Sequence, residues 1–196
     1  MNYLFRTSLF YLLIEISIIS VAYACGDFPV SGFDDPDMRH FTGAYYNPNY
    51  GYSVIIPKGL TGHDAAPPAP HHGFGIVLSW EPRAYVYVDG SYNSSELESI
   101  EDVETQHLTW LKEESGKIDS VDHIVTNLGS LEARRFIALH TCPQVGGNFI
   151  DDYIFAFSKN KDIIYTVALL TTEARYKKDK RVLEQLIKTW ELKPIK

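Results

Sequence analysis

Residues 149–170 constrain the fold more than any other stretch. Phe149-Ile-Asp-Asp-Tyr-Ile-Phe-Ala-Phe-Ser158, the polar Lys159-Asn-Lys-Asp162 and Ile163-Ile-Tyr-Thr-Val-Ala-Leu-Leu170 read as two strands joined by a turn. Strand side chains alternate with a period of two, so Tyr153, Phe155 and Phe157 share one face while Ile154 and Ala156 share the other. In the second strand Ile163, Tyr165, Val167 and Leu169 oppose Ile164, Thr166, Ala168 and Leu170. A sheet with one wet face would carry polar residues at every second position; here both sets are largely apolar. This hairpin must therefore be covered on both sides. One cover follows directly in sequence, where Leu183, Leu186, Ile187 and Trp190 make an i, i+3, i+4, i+7 apolar stripe.

Upstream, strands are expected at 44–46, 50–56, 73–80 and 84–89, with a break at Asn47-Pro48-Asn49 and a stop at Pro57 and Gly59. Ser95-Glu-Leu-Glu98 reads as a capping box. It predicts a helix over 96–115, stopped by Gly116, with Ile100, Val103, His107, Trp110 and Leu111 as its buried stripe. Strands at 120–128 and 131–140 form a hairpin around Gly129-Ser130. The order ββββαββββα predicts an α+β fold, a mainly antiparallel sheet covered by helices.

The chain has 196 residues, 45% of them hydrophobic, which fits a single domain over 41–196. Residues 1–24 read as a signal peptide: Arg6, an apolar run over 9–21 interrupted in kind by Glu15, then Ala22-Tyr-Ala24. No later segment approaches the ~20 apolar residues of a membrane span. Residues 25–40 form a Gly-, Asp- and Pro-bearing arm. The expectation is an exported protein, periplasmic or secreted. Cys25 has two fates open to it. A lipid anchor is one, although Ala22 and Tyr23 depart from the lipoprotein pattern; a disulfide with Cys142, the other cysteine, is the one favoured.

The net charge of −7 argues against nucleic acid and anionic membrane as partners. Acidic residues gather over 95–115 and basic ones over 174–196, which reads as two solvated helix faces of opposite sign.

An aromatic pair, Tyr45-Tyr46, followed by Asn49-Tyr-Gly-Tyr-Ser-Val54 and Pro57, resembles the opening of PsbP/Mog1-like domains. The resemblance covers about a dozen residues plus the order of elements. It implies an antiparallel sheet flanked by helices that binds other proteins or supports assemblies rather than catalysing a reaction. It transfers no functional residue.

Candidate chemistry is sparse. His63, Asp64, His71 and His72 cluster around a Pro/Ala loop and carry good zinc-ligand groups, with His63, Asp64 and His71 the candidate ligands. Their spacing matches no zinc motif, and Ala and Pro supply no groups to orient an imidazole. His107, on an apolar stripe, reads as a core-edge histidine rather than a general base. His140 and Cys142 share a face but have no evident orienting group, and a disulfide would remove the nucleophile. No nucleophile elbow, phosphate loop, dinucleotide fingerprint or His-Glu-x-x-His is present in the sequence.

Tyrosines stand out instead, because tyrosine gives contact area and a hydroxyl at little entropic cost. Tyr85, Tyr87 and Tyr92, with His71 and His72, are the candidate binding residues. The expected function is a non-catalytic domain that binds a partner, a protein of inhibitor, immunity or accessory type, with no cofactor. The alternatives are a metal-dependent hydrolase using the 63–72 loop and a structural subunit of an envelope assembly.

Overall fold

The computed structural model describes residues 39–64, 72–142 and 146–195. The signal-peptide reading, Cys25, nearly all of the arm and His71 lie outside the described residues.

The chain order is β1 (His40–Phe41), β2 (Ala44–Asn47), β3 (Tyr52–Ile55), β4 (Gly62–His63), β5 (Phe74–Trp80), β6 (Arg83–Tyr92), α1 (Ile100–Ser115), β7 (Ile118–Leu128), β8 (Leu131–Thr141), β9 (Asn148–Phe157), β10 (Ile163–Thr172), α2 (Glu173–Thr189) and β11 (Glu191–Leu192). Eight strands form one antiparallel sheet in the order β1-β4-β5-β6-β10-β9-β8-β7, and β11-β3-β2 form a second, three-stranded one. The fold is α+β, as the hydrophobic pattern predicts. The expected order omits β1, β4 and β11, two-residue pairings too short to leave a periodicity, and places in one sheet what is split between two.

The central hairpin is β9 and β10, interior strands of the large sheet. Their two faces serve two cores. Ile154, Tyr165, Val167 and Leu169 pack with Leu183 and Leu186 of α2 and with Tyr52 and Val54 of the small sheet. Tyr153, Phe155 and Ala168 pack with Phe136 of β8 and with Val103 and Leu111 of α1. The apolar character of both faces follows directly from this double cover. Trp190, just past α2, is 2% exposed and lies against Tyr52 and Tyr165.

Two details of α1 differ from expectation. Its N-cap is Ser99, whose hydroxyl accepts from Asp102 N while the Asp102 carboxylate accepts from Ser99 N. The box lies four residues beyond Ser95. Asn93 explains the displacement: its side-chain oxygen accepts from Leu97 N and its amide donates to Leu97 O, which closes a turn over 93–97 with Glu96 at φ 52. The second detail is Trp110, 39% exposed on the flank of the stripe rather than under it. Gly116 ends the helix at φ 78, as predicted.

Candidate recognition surface

The segment between β2 and β3 is held by one side chain. Asn47 is 6% exposed, and its carbonyl oxygen accepts from Asn49 N at 3.1 Å and Tyr50 N at 3.2 Å, an Asx-type closure of the turn. Its amide donates to His72 O, and Tyr52 Oη donates to the same carbonyl at 3.0 Å. His72 N in turn donates to the Asp89 carboxylate at 3.3 Å. The 47–50 turn and the start of β5 are thus fastened to each other. Gly73 permits this closeness, since a Cβ there would stand 1.8 Å from Val88 O.

Tyr50 is seated in this frame. Its backbone oxygen accepts from Tyr165 Oη at 2.8 Å, and its side chain packs over Gly90, where a Cβ would stand 2.9 Å from Tyr50 Cβ and 3.1 Å from the ring. The ring of His72 lies 4.6 Å away on one side and that of Tyr92 5.2 Å away on another. Tyr92 is 63% exposed and Tyr46 39%. Tyr46 Oη donates to Pro194 O at 2.9 Å, which anchors that ring to the C-terminal segment. Beside Tyr50 and His72 lies a cleft of about 260 Å³, lined also by Arg39, Phe41, Tyr45, Tyr46, Asp64 and Gly73; Tyr92 is not part of its lining. Burial raises the Tyr45 phenol, and the deeper Tyr52 phenol still more, so both remain neutral donors across the physiological range.

The sequence-predicted residues separate here. His72 and Tyr92 come together across Tyr50. Tyr85 and Tyr87 do not join them, and their expected display to a partner is corrected by their placement. Both lie on β6, between β5 and β10, and face the α1 side. Tyr85 is 6% exposed, while Tyr87 makes an edge contact with Tyr153 at 6.0 Å across the small Ala168. Burial pushes both phenols up. Covered on the α1 side and flanked by β5 and β10, these two tyrosines belong to the core wall rather than to a displayed surface.

Among the described residues no group of three His, Cys, Asp or Glu side chains is placed to hold a metal ion. Asp64 accepts from Arg39 N at 2.6 Å and from its guanidinium, so its carboxylate is already committed. His63 stacks edge-on against His40 at 4.8 Å, and burial, with the His40 charge second, lowers its pKa.

Three polar groups escaped the sequence reading. Asp152 is fully buried and receives both arms of the Arg135 fork at 2.6 Å, with Tyr176 Oη donating at 2.8 Å. Asp151, on the opposite face, meets His140 Nε2 at 3.2 Å. Glu104 of α1 is 3% exposed and bonds His123 of β7 and Arg134 of β8. The signal was there for the first two: adjacent carboxylates inside an apolar strand need a partner on each face. Cys142 is fully buried, and the described residues hold no free thiol.

The arrangement is a large antiparallel sheet with a helix on each face and a small cleft at its margin lined by Tyr45, Tyr46 and Tyr50. No family model matches the chain, and no curated protein matches it by sequence. Solved structures do match in fold. LpqN of Mycobacterium tuberculosis, described as involved in cell envelope biogenesis, superimposes with a TM-score of 0.53 at 9% identity, over 85% of this chain and 98% of that one. Cyanobacterial PsbP (CyanoP) of Synechocystis sp. PCC 6803 gives 0.51 at 14% identity, over 84% and 98%. The chain is therefore similar in fold to PsbP-like domains, in keeping with the resemblance carried by residues 45–57. Among the described residues no helix is long and apolar enough to cross a membrane.

Proposed function

We propose that this chain is an exported, non-catalytic domain that binds a partner protein in the cell envelope or outside the cell, through the exposed rings of Tyr46, at the cleft, and Tyr92, beside Tyr50. The observation that carries this reading is the contrast between a locked base and displayed rings. Asn47, Tyr52 and Tyr165 fix the backbone of the turn, while Tyr92 and Tyr46 offer their rings to solvent on either side of it. Aromatic side chains on a rigid base bind with little ordering cost. A cleft of about 260 Å³ takes one or two partner side chains, below the size usual for a cofactor site. The signal-like residues 1–24 and the likeness in fold to an envelope-biogenesis protein support the location. A Cys25–Cys142 bond would tie the arm to the domain; an intact mass two hydrogens below the reduced value would reveal it, and an added diacylglyceryl mass would show the lipid anchor instead.

The test is a photo-crosslinking phenylalanine analogue placed at Tyr92, at Tyr46 and, as control, at the exposed Glu132. We expect one discrete larger product from the first two positions in the native host and none from the third. Absence of product from both tyrosine positions, in protein that is folded and exported, would defeat the cleft as the binding site.

A further inference from the structure

The eight-stranded sheet ends differently at its two edges. One edge is β1, two residues long. The other is β7, eleven residues long and about 37 Å from end to end, and no described strand pairs with its outer side. Proteins blunt such edges with Pro, Lys, bulges or short length. β7 contains no Pro, Gly, Lys or Arg, and its irregularity is confined to the 118–120 end. At its middle it displays apolar side chains instead, Ile124 at 41% and Val125 at 82% exposure. Val125 also borders a groove of about 710 Å³ between β7 and the start of α1, with Ile100 and Phe157 on its walls.

We infer that the protein pairs with a second copy of itself through β7, the two strands antiparallel about a twofold axis beside His123. The inference does not depend on the tyrosine cleft.

The strand's own sequence selects this occupant. An antiparallel pair about an axis normal to the sheet must set odd residues against odd and even against even, because directly opposed side chains share a face. Centred on His123, the register sets Ser120 against Thr126, Val121 against Val125, Asp122 against Ile124 and Asp119 against Asn127. No two carboxylates face each other, and apolar meets apolar at Val121 and Val125. Centring on Asp122 would instead oppose two carboxylates, which cross-strand pairing disfavours. The α1 carboxylates beside the axis already have partners: Glu104 lies 2.6 Å from His123 Nδ1 and accepts from Arg134 at 3.0 Å, and Glu101 accepts from Arg134 at 2.7 Å. Neither carboxylate therefore meets the second copy unpartnered.

Sedimentation equilibrium of the purified protein, its N-terminus read by mass spectrometry, tests the inference. At about 50 µM the mass should be that of two chains, within the range a standard-size interface sustains. Val125→Lys should weaken association at least about tenfold with an unchanged circular dichroism spectrum, since the side chain is solvent-facing in one copy. Ser120→Lys with Thr126→Lys should dissociate the pair, whereas Ser120→Glu with Thr126→Lys should keep it, because each lysine then meets a glutamate of the other copy. A single-chain mass at about 200 µM would overturn the inference. So would a Val125→Lys variant that associates as tightly as the parent, and equal behaviour of the two double variants would overturn the register.

Discussion

His107 shows how one side chain ties the fold to pH. Its ring centre lies 4.0 Å from that of Tyr153, 5.3 Å from Trp110, 5.6 Å from Phe136 and 5.7 Å from Phe155. Nε2 is buried with no hydrogen-bond partner among the described residues. Burial pushes the imidazole pKa down from 6.5 to about 4. In the unfolded chain His107 takes up its proton near pH 6.5, while the folded protein resists until about pH 4. Between those values the unfolded state binds more protons, so stability falls as the pH falls. The loss reaches up to about 3 kcal/mol below the lower value. We expect the urea midpoint of the parent to drop further between pH 7 and pH 4.5 than that of His107→Leu, which has no proton to gain there. Equal drops would show that the imidazole is not enclosed. The sequence already marks His107 as a residue of the apolar stripe, at the edge of the core. It does not show the aromatic ring around it, because Tyr153, Phe136 and Phe155 come from strands 29 to 48 positions away in sequence. The Asp152–Arg135 and Asp151–His140 pairs, 17 and 11 positions apart, are hidden because it is the β8–β9 pairing that brings them together.

At the level of elements, strand periodicity was the most legible signal. The expected strands at 120–128, 131–140, 149–158 and 163–170 match β7 to β10 with end shifts of two residues or fewer. Faces were legible too, because both cores draw on the alternation of β9 and β10. Capping was not, since Ser95-x-x-Glu98 and Ser99-x-x-Asp102 both fit the pattern and tertiary contacts decide between them. Asn93 also donates to Lys161 O, and Lys161 reaches Glu98 O, so the segment before α1 is docked on the β9–β10 turn and is unable to be helical. A direct comparison follows. Ser99→Ala should cost about 1 kcal/mol of stability, the usual loss of a cap, while Ser95→Ala should change it by less than about 0.5 kcal/mol. Chemical denaturation of both variants reads the difference, and a larger loss at Ser95 would return the helix start to the earlier position. The tyrosines illustrate the opposite failing. Tyr85, Tyr87 and Tyr92 lie on one strand and look alike in sequence, yet only Tyr92, on the opposite face and past the last β5 pairing at Val88, is largely exposed.

For the whole molecule, the decisive feature is that one sheet has two cores and the same strands wall both. Val167 and Ala168 are neighbours on β10, yet Val167 belongs to the α2 side and Ala168 to the α1 side. Neither core can be lost alone without leaving β9 and β10 with an apolar face in water, at about 25 cal/mol for each Å² exposed. Such a cost couples the two sides far more strongly than a hinge between separate domains would. Unfolding should therefore be a single transition. The three tryptophans are placed to report on it: Trp190 is buried in the α2-side core, Trp110 lies beside His107 on the α1 side, and Trp80 is 48% exposed at the end of β5. With fluorine-labelled tryptophan, each gives its own resonance along a urea titration. The folded signals of Trp190 and Trp110 should disappear at one denaturant concentration, within the usual error of a midpoint. Separate midpoints for Trp110 and Trp190 would mean that α1 and its core leave first and that the sheet survives with one face bare. That outcome would require β7 to β10 to be stabilised from outside the fold, and repeating the titration across protein concentration would locate the source. A Trp190 midpoint that rises with concentration points to the paired β7 edge as that source, whereas a fixed one excludes it.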